Sequence, residues 1–248
     1  MAGPDRKILI LGGTGEGRLL AGLLHVEKNL KVITSLAGRT SAPELPAGEW
    51  RSGGFGGAEG LATYLMAEAI SLVADATHPF AATMSRNAAE ACRQVGIAYV
   101  RLERPAWRRA RGDRWRPVES VAAAAAAIPA RARALVTVGQ RDIAAFFARA
   151  DTRILARMIE PPQIPLPPHV DLLLARPPFS LDAELALFRE HGTNVLVCRN
   201  SGGDATKAKL AATRELHLPV IMIERPEKPA APSAATPEGL RSLILELA

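Results

Sequence analysis

Cysteine is scarce in this chain: two residues in 248, Cys92 and Cys198, each inside an apolar segment. Neither has metal-site spacing, so both read as free buried thiols, and a reducing, cytoplasmic home is expected. Aromatic residues are sparse too, at 4%, which leaves Ala, Leu, Val and Ile to fill the interior, as in many α/β proteins. Long apolar runs are missing. None approaches the ~18 residues that span a bilayer, so no membrane span is expected. Residues 1–7 lead at once into an apolar strand and leave no room for a secretory leader. Positive charge is in surplus, with 31 Lys and Arg against 25 Asp and Glu, a formal +6. That balance suits an anionic ligand, nucleic acid or an acidic surface without choosing among them.

The most informative stretch lies near the N-terminus. Ile8-Leu9-Ile10-Leu11 reads as a buried strand, Gly12-Gly13-Thr14-Gly15-Glu16-Gly17 as a turn, and an apolar pattern at helical spacing follows. Such a junction gathers backbone N–H groups and the positive helix end, which together bind phosphate. Glycine allows close approach because it has no Cβ. The spacing is not a full G-x-G-x-x-G: after Gly13 and Gly15 the third glycine position holds Arg18. A plain strand-to-helix turn would look similar, but the place directly after the first strand favours a nucleotide phosphate. A second strand is expected over 30–35, followed by Leu36. Where an NAD-binding fold carries an acid, this strand ends in Ser35, with Arg39 four residues on. A hydroxyl and a guanidinium suit a 2′-phosphate that an acid would repel, so NADP(H) is expected over NAD(H). Arg39 covering a loop is the alternative.

A second glycine turn, Gly53-Gly54-Phe55-Gly56-Gly57, is either a loop against a flat ligand or a connector to a helix near 58–70. A strand over 71–76 runs into Thr77-His78-Pro79-Phe80 and a helix over 81–92. Ligands of doubly wound sheets gather at such strand ends. Thr77 is placed to contact a cofactor, and His78 to give a proton or hold a carboxylate; a capping Thr and a packed His are the structural alternative. The strand over 97–102 ends in Glu103-Arg104-Pro105, echoed by the strand over 219–223 and Glu224-Arg225-Pro226. Seven arginines lie between Arg101 and Arg116, with Trp107 and Trp115 among them. This mixture reads as a nucleic-acid surface, the floor of a pocket for a flat polycarboxylate, or a solvated linker.

Beyond it, helices are expected over 118–128 and from 140, and strands over 134–139, 153–159 and 171–175. A proline-rich loop runs through Pro168, and a helix over 181–191 is capped by Ser180. The strand over 194–198 passes into Arg199-Asn200-Ser201-Gly202-Gly203-Asp204-Ala205-Thr206-Lys207, a second candidate anion site at a helix start. A closing helix covers 236–247. The expected division is 1–104, an arginine-rich crossover at 105–117, and a second domain over 118–248.

Together these segments resemble the precorrin-6A reductase family of cobalamin biosynthesis. The residues that carry the likeness are the turn at 12–17, Ser35-Leu36-Ala37-Gly38-Arg39, Gly53–Gly57, Asp75–Ala81, the two Glu-Arg-Pro strand ends, Thr137-Val138-Gly139-Gln140, and Ser201-Gly202-Gly203 with Lys207. The resemblance implies two Rossmann-like parallel-sheet domains with a cleft between them. It also implies NADPH-dependent reduction of a double bond in the precorrin-6A macrocycle to precorrin-6B. Residues 12–17, Ser35, Leu36, Arg39, Gly54, Thr77, His78 and Lys207 would then bind NADPH, with His78 a candidate catalytic proton donor. Arg104, Arg176, Arg199, Ser201, Gly202 and Lys207 would bind the substrate's carboxylates. No metal, nucleic acid or membrane partner is implied, and a cobalt-containing substrate stays open. A short-chain reductase needs a Tyr-x-x-x-Lys pair, and neither Tyr64 nor Tyr99 has the lysine. A non-enzymatic NADP(H)-sensing module would have no use for a second anion site.

Overall fold

The apolar run at 8–11 is buried on both sides, as a strand covered by helices on two faces must be. In the computed structural model, which describes residues 6–38 and 44–247, it belongs to β1 (Arg6–Leu11). The elements after it are α1 (Gly15–His25), β2 (Leu30–Leu36), β3 (Glu49–Ser52), α2 (Gly57–Ala67), β4 (Ile70–Asp75), α3 (Ala82–Val95) and β5 (Ala98–Leu102). Then come β6 (Arg114–Val118), α4 (Val121–Ala127), β7 (Arg133–Thr137), β8 (Arg153–Met158), β9 (Val170–Leu174), α5 (Leu181–Glu190), β10 (Val195–Arg199), α6 (Ala208–Glu215) and β11 (Pro219–Ile223). The chain closes with β12 (Ser233–Ala234) and α7 (Pro237–Leu247).

Two compact units result, Met1–Pro105 with Pro226–Ala248, and Ala106–Arg225. Each holds a six-stranded parallel sheet, ordered β12-β5-β4-β1-β2-β3 in the first and β6-β11-β10-β7-β8-β9 in the second. In the first, Ile8 and Ile10 pack with Leu20 and Leu24 of α1 and Leu240 and Ile244 of α7. The alternate residues Leu9 and Leu11 pack with Leu61 and Leu65 of α2 and Ala88 and Ala91 of α3. In the second, Leu135, Leu196 and Val220 meet Leu185, Phe188 and Leu210 of α5 and α6.

The division differs from the one expected. Residues 226–248 belong with the first unit, because α7 supplies Leu240 and Ile244 to its core and β12 pairs with β5. Nor is 105–117 a plain crossover: β6 starts within it and pairs in parallel with β11. The two passages between units fall at the echoed tripeptides, after Pro105 and before Pro226. The helix expected from 140 is only a 3₁₀ turn, Ile143–Phe146.

Candidate functional site

The junction after β1 owes its shape to residues doing different jobs. A Cβ on Gly12 would come within 2.9 Å of Thr34 Cγ2, so the first glycine allows close strand packing. Gly17 is similarly confined, by Thr14 Oγ1 at 3.2 Å and Ala76 Cβ at 3.3 Å. Gly13 has φ of 98°, and neither it nor Gly15 has an atom within 4 Å of where a Cβ would stand. The fingerprint register is therefore Gly12-x-Thr14-x-x-Gly17, not the one counted from Gly13 to Arg18. Thr14 caps α1. Its hydroxyl accepts the Gly17 N–H at 2.9 Å and donates to Ala76 O at 2.8 Å, tying the helix start to the end of β4. The N–H groups of Gly15 and Glu16 are left at the positive end of α1. Glu16 sits in that first turn, and Arg104 pairs with it. The pair cancels a carboxylate that would repel an anion at the helix mouth.

At the end of β2, Ser35 is buried and meets a residue that sequence reasoning passed over. Parallel pairing sets Arg51 of β3 opposite Ser35. Arg51 Nη1 donates to Ser35 Oγ at 2.8 Å and to Gly53 O at 3.1 Å, and Nη2 to Gly54 O at 3.2 Å. Its guanidinium carbon lies 4.1 Å from the Phe55 ring centre and 5.1 Å from that of Tyr64. The guanidinium is thus held before any ligand arrives. Leu36 completes this strand end, its carbonyl accepting the Gly53 N–H at 3.0 Å. Arg39 lies outside the described residues.

The turn after β4 is built on Asp75, which is 1% exposed. One carboxylate oxygen accepts from the Thr77 N–H (3.0 Å) and hydroxyl (2.6 Å), the other from Ser85 Oγ (2.5 Å) and Tyr99 Oη (2.8 Å). Burial, reinforced by the Asp75 charge, pushes the Tyr99 phenol well above its ordinary range, so it stays a donor. His78 Nδ1 accepts the Phe80 N–H at 3.2 Å, which puts the ring proton of neutral His78 on Nε2. Thr77 therefore serves Asp75, and its hydroxyl is already committed.

The second junction is less like the first. α6 starts only at Ala208, and Lys207, at its N-cap position, is exposed with no side-chain cap bond. Arg225 Nε donates to Asn200 O at 2.8 Å and Nη2 to Ser201 O at 3.0 Å, so two of the loop's carbonyls are occupied. Gly202 is buried and takes φ of 67°. Nearby, Arg157 and Glu184 form a buried two-pronged ion pair at 3.0 and 2.9 Å, with Arg157 stacked on Phe179 at 4.1 Å. Lys209, also buried, lies 5.3 Å from the Trp107 ring, and burial pushes its ammonium pKa down. The three arginines expected to hold substrate all have carboxylate partners: Arg104 pairs with Glu16, Arg176 with Glu160 and Arg199 with Asp142. Burial raises the thiols of Cys92 to about 12 and Cys198 to about 11, so neither is a nucleophile at neutral pH.

Known proteins match the chain along nearly its whole length. A family model described as precorrin-6x reductase CbiJ/CobK matches residues 7–243. The precorrin-6A reductase of Rhodococcus erythropolis is 47% identical over 226 residues, covering 91% of each chain. That of Rhodobacter capsulatus is 44% identical over 242 residues, covering 97% of this chain and 96% of the other. A solved structure, CobK precorrin-6A reductase, superposes with a TM-score of 0.91 at 42% identity, covering 97% of this chain and 96% of that one.

Proposed function

Because the chain belongs to the precorrin-6x reductase family, we propose that it reduces a carbon–carbon double bond of precorrin-6A to give precorrin-6B, with NADPH as the reductant. The observation that carries the reading is the first junction: a capped helix start with bare Gly13 and Gly15 and a neutralised Glu16, in a chain whose relatives are precorrin-6A reductases. Open space over two glycines and unclaimed N–H groups suit a pyrophosphate. Ser35 and Arg51 would take the 2′-phosphate, with Leu36 and Gly54 shaping its surroundings. Arg39 stays a further candidate there.

When bound, NADPH supplies the hydride, and the protein supplies position and charge. Gly12 lets the end of β1 pack against β2, and Gly17 lets the start of α1 pack against Ala76 after β4, which leaves the Gly15 and Glu16 N–H groups at the mouth of the helix. Asp75 fixes Thr77, so the turn that lines the nicotinamide end keeps its shape between turnovers. His78 holds a proton at Nε2 while Nδ1 accepts the Phe80 N–H; protonating Nδ1 would break that bond. His78 offers Nε2–H as a donor and stays the candidate proton donor, with solvent or a substrate carboxylic acid as the other sources. Ser201, Gly202 and Lys207 are assigned to a substrate carboxylate, since Arg104, Arg176 and Arg199 are already paired. A cytoplasmic setting belongs to the same reading, because unpaired thiols persist where glutathione keeps them reduced.

The experiment mixes purified protein with precorrin-6A and follows NADPH absorbance, with NADH and cobalt-precorrin-6A in parallel. Oxidation that needs both protein and precorrin-6A, and is much slower with NADH, is the expected result. Equal use of NADH removes the 2′-phosphate assignment. Turnover of the cobalt substrate alone moves the enzyme to the cobalt-containing route.

A further inference from the structure

Five arginines in and just ahead of β6 have no acid to answer them. Arg108, Arg109, Arg111, Arg114 and Arg116 are exposed, and among the described residues no carboxylate pairs with any of them. Their recorded acceptors are backbone carbonyls: Arg109 donates to Asp113 O at 3.0 Å, Arg114 to His217 O at 2.9 Å and Arg116 to Ala127 O at 3.5 Å. The segment's one acid, Asp113, is taken by Arg214 at 2.8 Å and by the Ala110 N–H at 2.7 Å. Solvated charge runs are common, and alone this one would carry no more meaning than that.

The tryptophans between the arginines change the reading. Trp107 and Trp115 come to the same cavity, about 330 Å³, which Arg109, Pro117, Asn200 and Glu224 complete. One wall is fixed in advance. Asn200 Oδ1 accepts the Trp107 N–H at 2.9 Å, Asn200 Nδ2 donates to Trp107 O at 3.3 Å, and Trp107 Nε1 donates to Gly203 O at 2.8 Å. Trp115 Nε1 is buried and has no hydrogen-bond partner. A buried donor left unpaired is costly, and a ligand oxygen would remove the cost.

We propose that this cavity seats one carboxylate-bearing edge of the tetrapyrrole-derived substrate. The indole faces take the flat conjugated edge, Trp115 Nε1 and Arg109 take a carboxylate, and Glu224 accepts a ring N–H. The volume is at the lower end for small-ligand pockets (~300–1,000 Å³), so an edge enters and not the whole macrocycle. The exposed arginines of this segment add positive potential that draws the polyanion toward the unit. This assignment rests on the reductase reading for the identity of the ligand, and on the cavity for the place.

The test uses full-length protein carrying Trp50→Phe, so that emission comes from Trp107 and Trp115 alone. Precorrin-6A is titrated anaerobically without NADPH, and indole quenching is followed. Saturable quenching is expected. Arg109→Gln and Trp115→Phe should each raise the precorrin-6A Kd and KM about ten-fold, as loss of a charge-assisted or buried hydrogen bond does, with NADPH affinity unchanged. Variants that bind precorrin-6A like their parent overturn the proposal. Tighter quenching by a single-stranded 20-mer DNA than by precorrin-6A overturns it in favour of nucleic acid. If the parent protein quenches but oxidises no NADPH, the cavity stands and the reductase reading falls. If it does neither, both fall.

Discussion

The two strand-to-helix junctions at 12–17 and 199–207 look alike in sequence and are built for different ends. Both follow a buried strand, and both combine glycines with hydroxyl and charged residues. In the first, the helix starts at once, Thr14 closes its end, and Gly13 and Gly15 stand bare. In the second, eight loop residues separate β10 (ending at Arg199) from α6 (starting at Ala208), and several of their carbonyls are taken. Arg225 holds Asn200 O and Ser201 O, Trp107 holds Gly203 O, and the Asn200 side chain holds Trp107. The first junction presents unclaimed donors and so suits an anion. The second spends three carbonyls on bracing a wall and keeps Lys207 exposed, the group assigned to a substrate carboxylate. Glycine content alone does not tell a cradle from a brace; where the hydrogen bonds go does.

The comparison can be broken hardest in the second unit, where Arg157 and Glu184 form a buried ion pair. Glu184→Ala should cost about 3–5 kcal/mol, because it strands a buried guanidinium beside Lys209; urea unfolding measures it. A loss below ~1 kcal/mol would mean that the pair contributes little. Next is Arg51→Gln, which should lower the preference for NADPH over NADH by about ten-fold or more while leaving NADH kinetics nearly unchanged. Equal loss with both nucleotides would make Arg51 a structural residue. Thr14→Val should cost about 1–2 kcal/mol in denaturant stability and raise the NADPH KM, since it removes a cap and the link to Ala76. Its counterpart at the second junction, Lys207→Ala, should stay within about 0.5 kcal/mol of the parent, raise the precorrin-6A KM and spare the NADPH KM. A rise in NADPH KM there would make both junctions cofactor sites and end the distinction.

The smallest effect concerns the thiols. Their folded pKa values lie above the ordinary 9.0, at about 12 for Cys92 and about 11 for Cys198, so the folded state keeps its protons longer than the unfolded chain does. Their contribution is complete below pH 9 and is lost as pH rises through 11 to 12. The urea midpoint of Cys92→Ala should accordingly show less decline above pH 9 than that of the parent. At pH 8 neither thiol should react with a disulfide reagent until urea unfolds the chain.

Much of this was legible residue by residue. Ile8–Leu11, the glycine turn and the helix after it are set by local periodicity and by glycine; the structure holds them, with the helix starting at Gly15, inside the stretch read as a turn. Asp75–Phe80 was also readable as a turn at a strand end, and it follows β4. Three of the four edge strands were not: Glu49–Ser52, Arg114–Val118 and Ser233–Ala234 are short and largely exposed and show no apolar pattern, whereas the fourth, Val170–Leu174, carries a run of leucines. Missing β3 meant missing Arg51. Its place opposite Ser35 comes from parallel register between strands that are not hydrogen-bonded until the sheet forms. The arginines at 104, 176 and 199 looked available because a sequence shows charge but not the carboxylates that answer it.

By itself the sequence determined the class of fold, the phosphate-suited turn and, through motifs kept in order along its length, the family. Periodicity, glycine and capping act over a few residues, and a string of residues contains them. Only the tertiary structure decided that 226–248 joins the first unit, that Glu16 is neutralised by Arg104, that Arg51 meets Ser35, and that Trp107 and Trp115 share one cavity. Each of those depends on which strands lie side by side, and burying the helices' apolar faces against two sheets sets that order once the whole chain is folded.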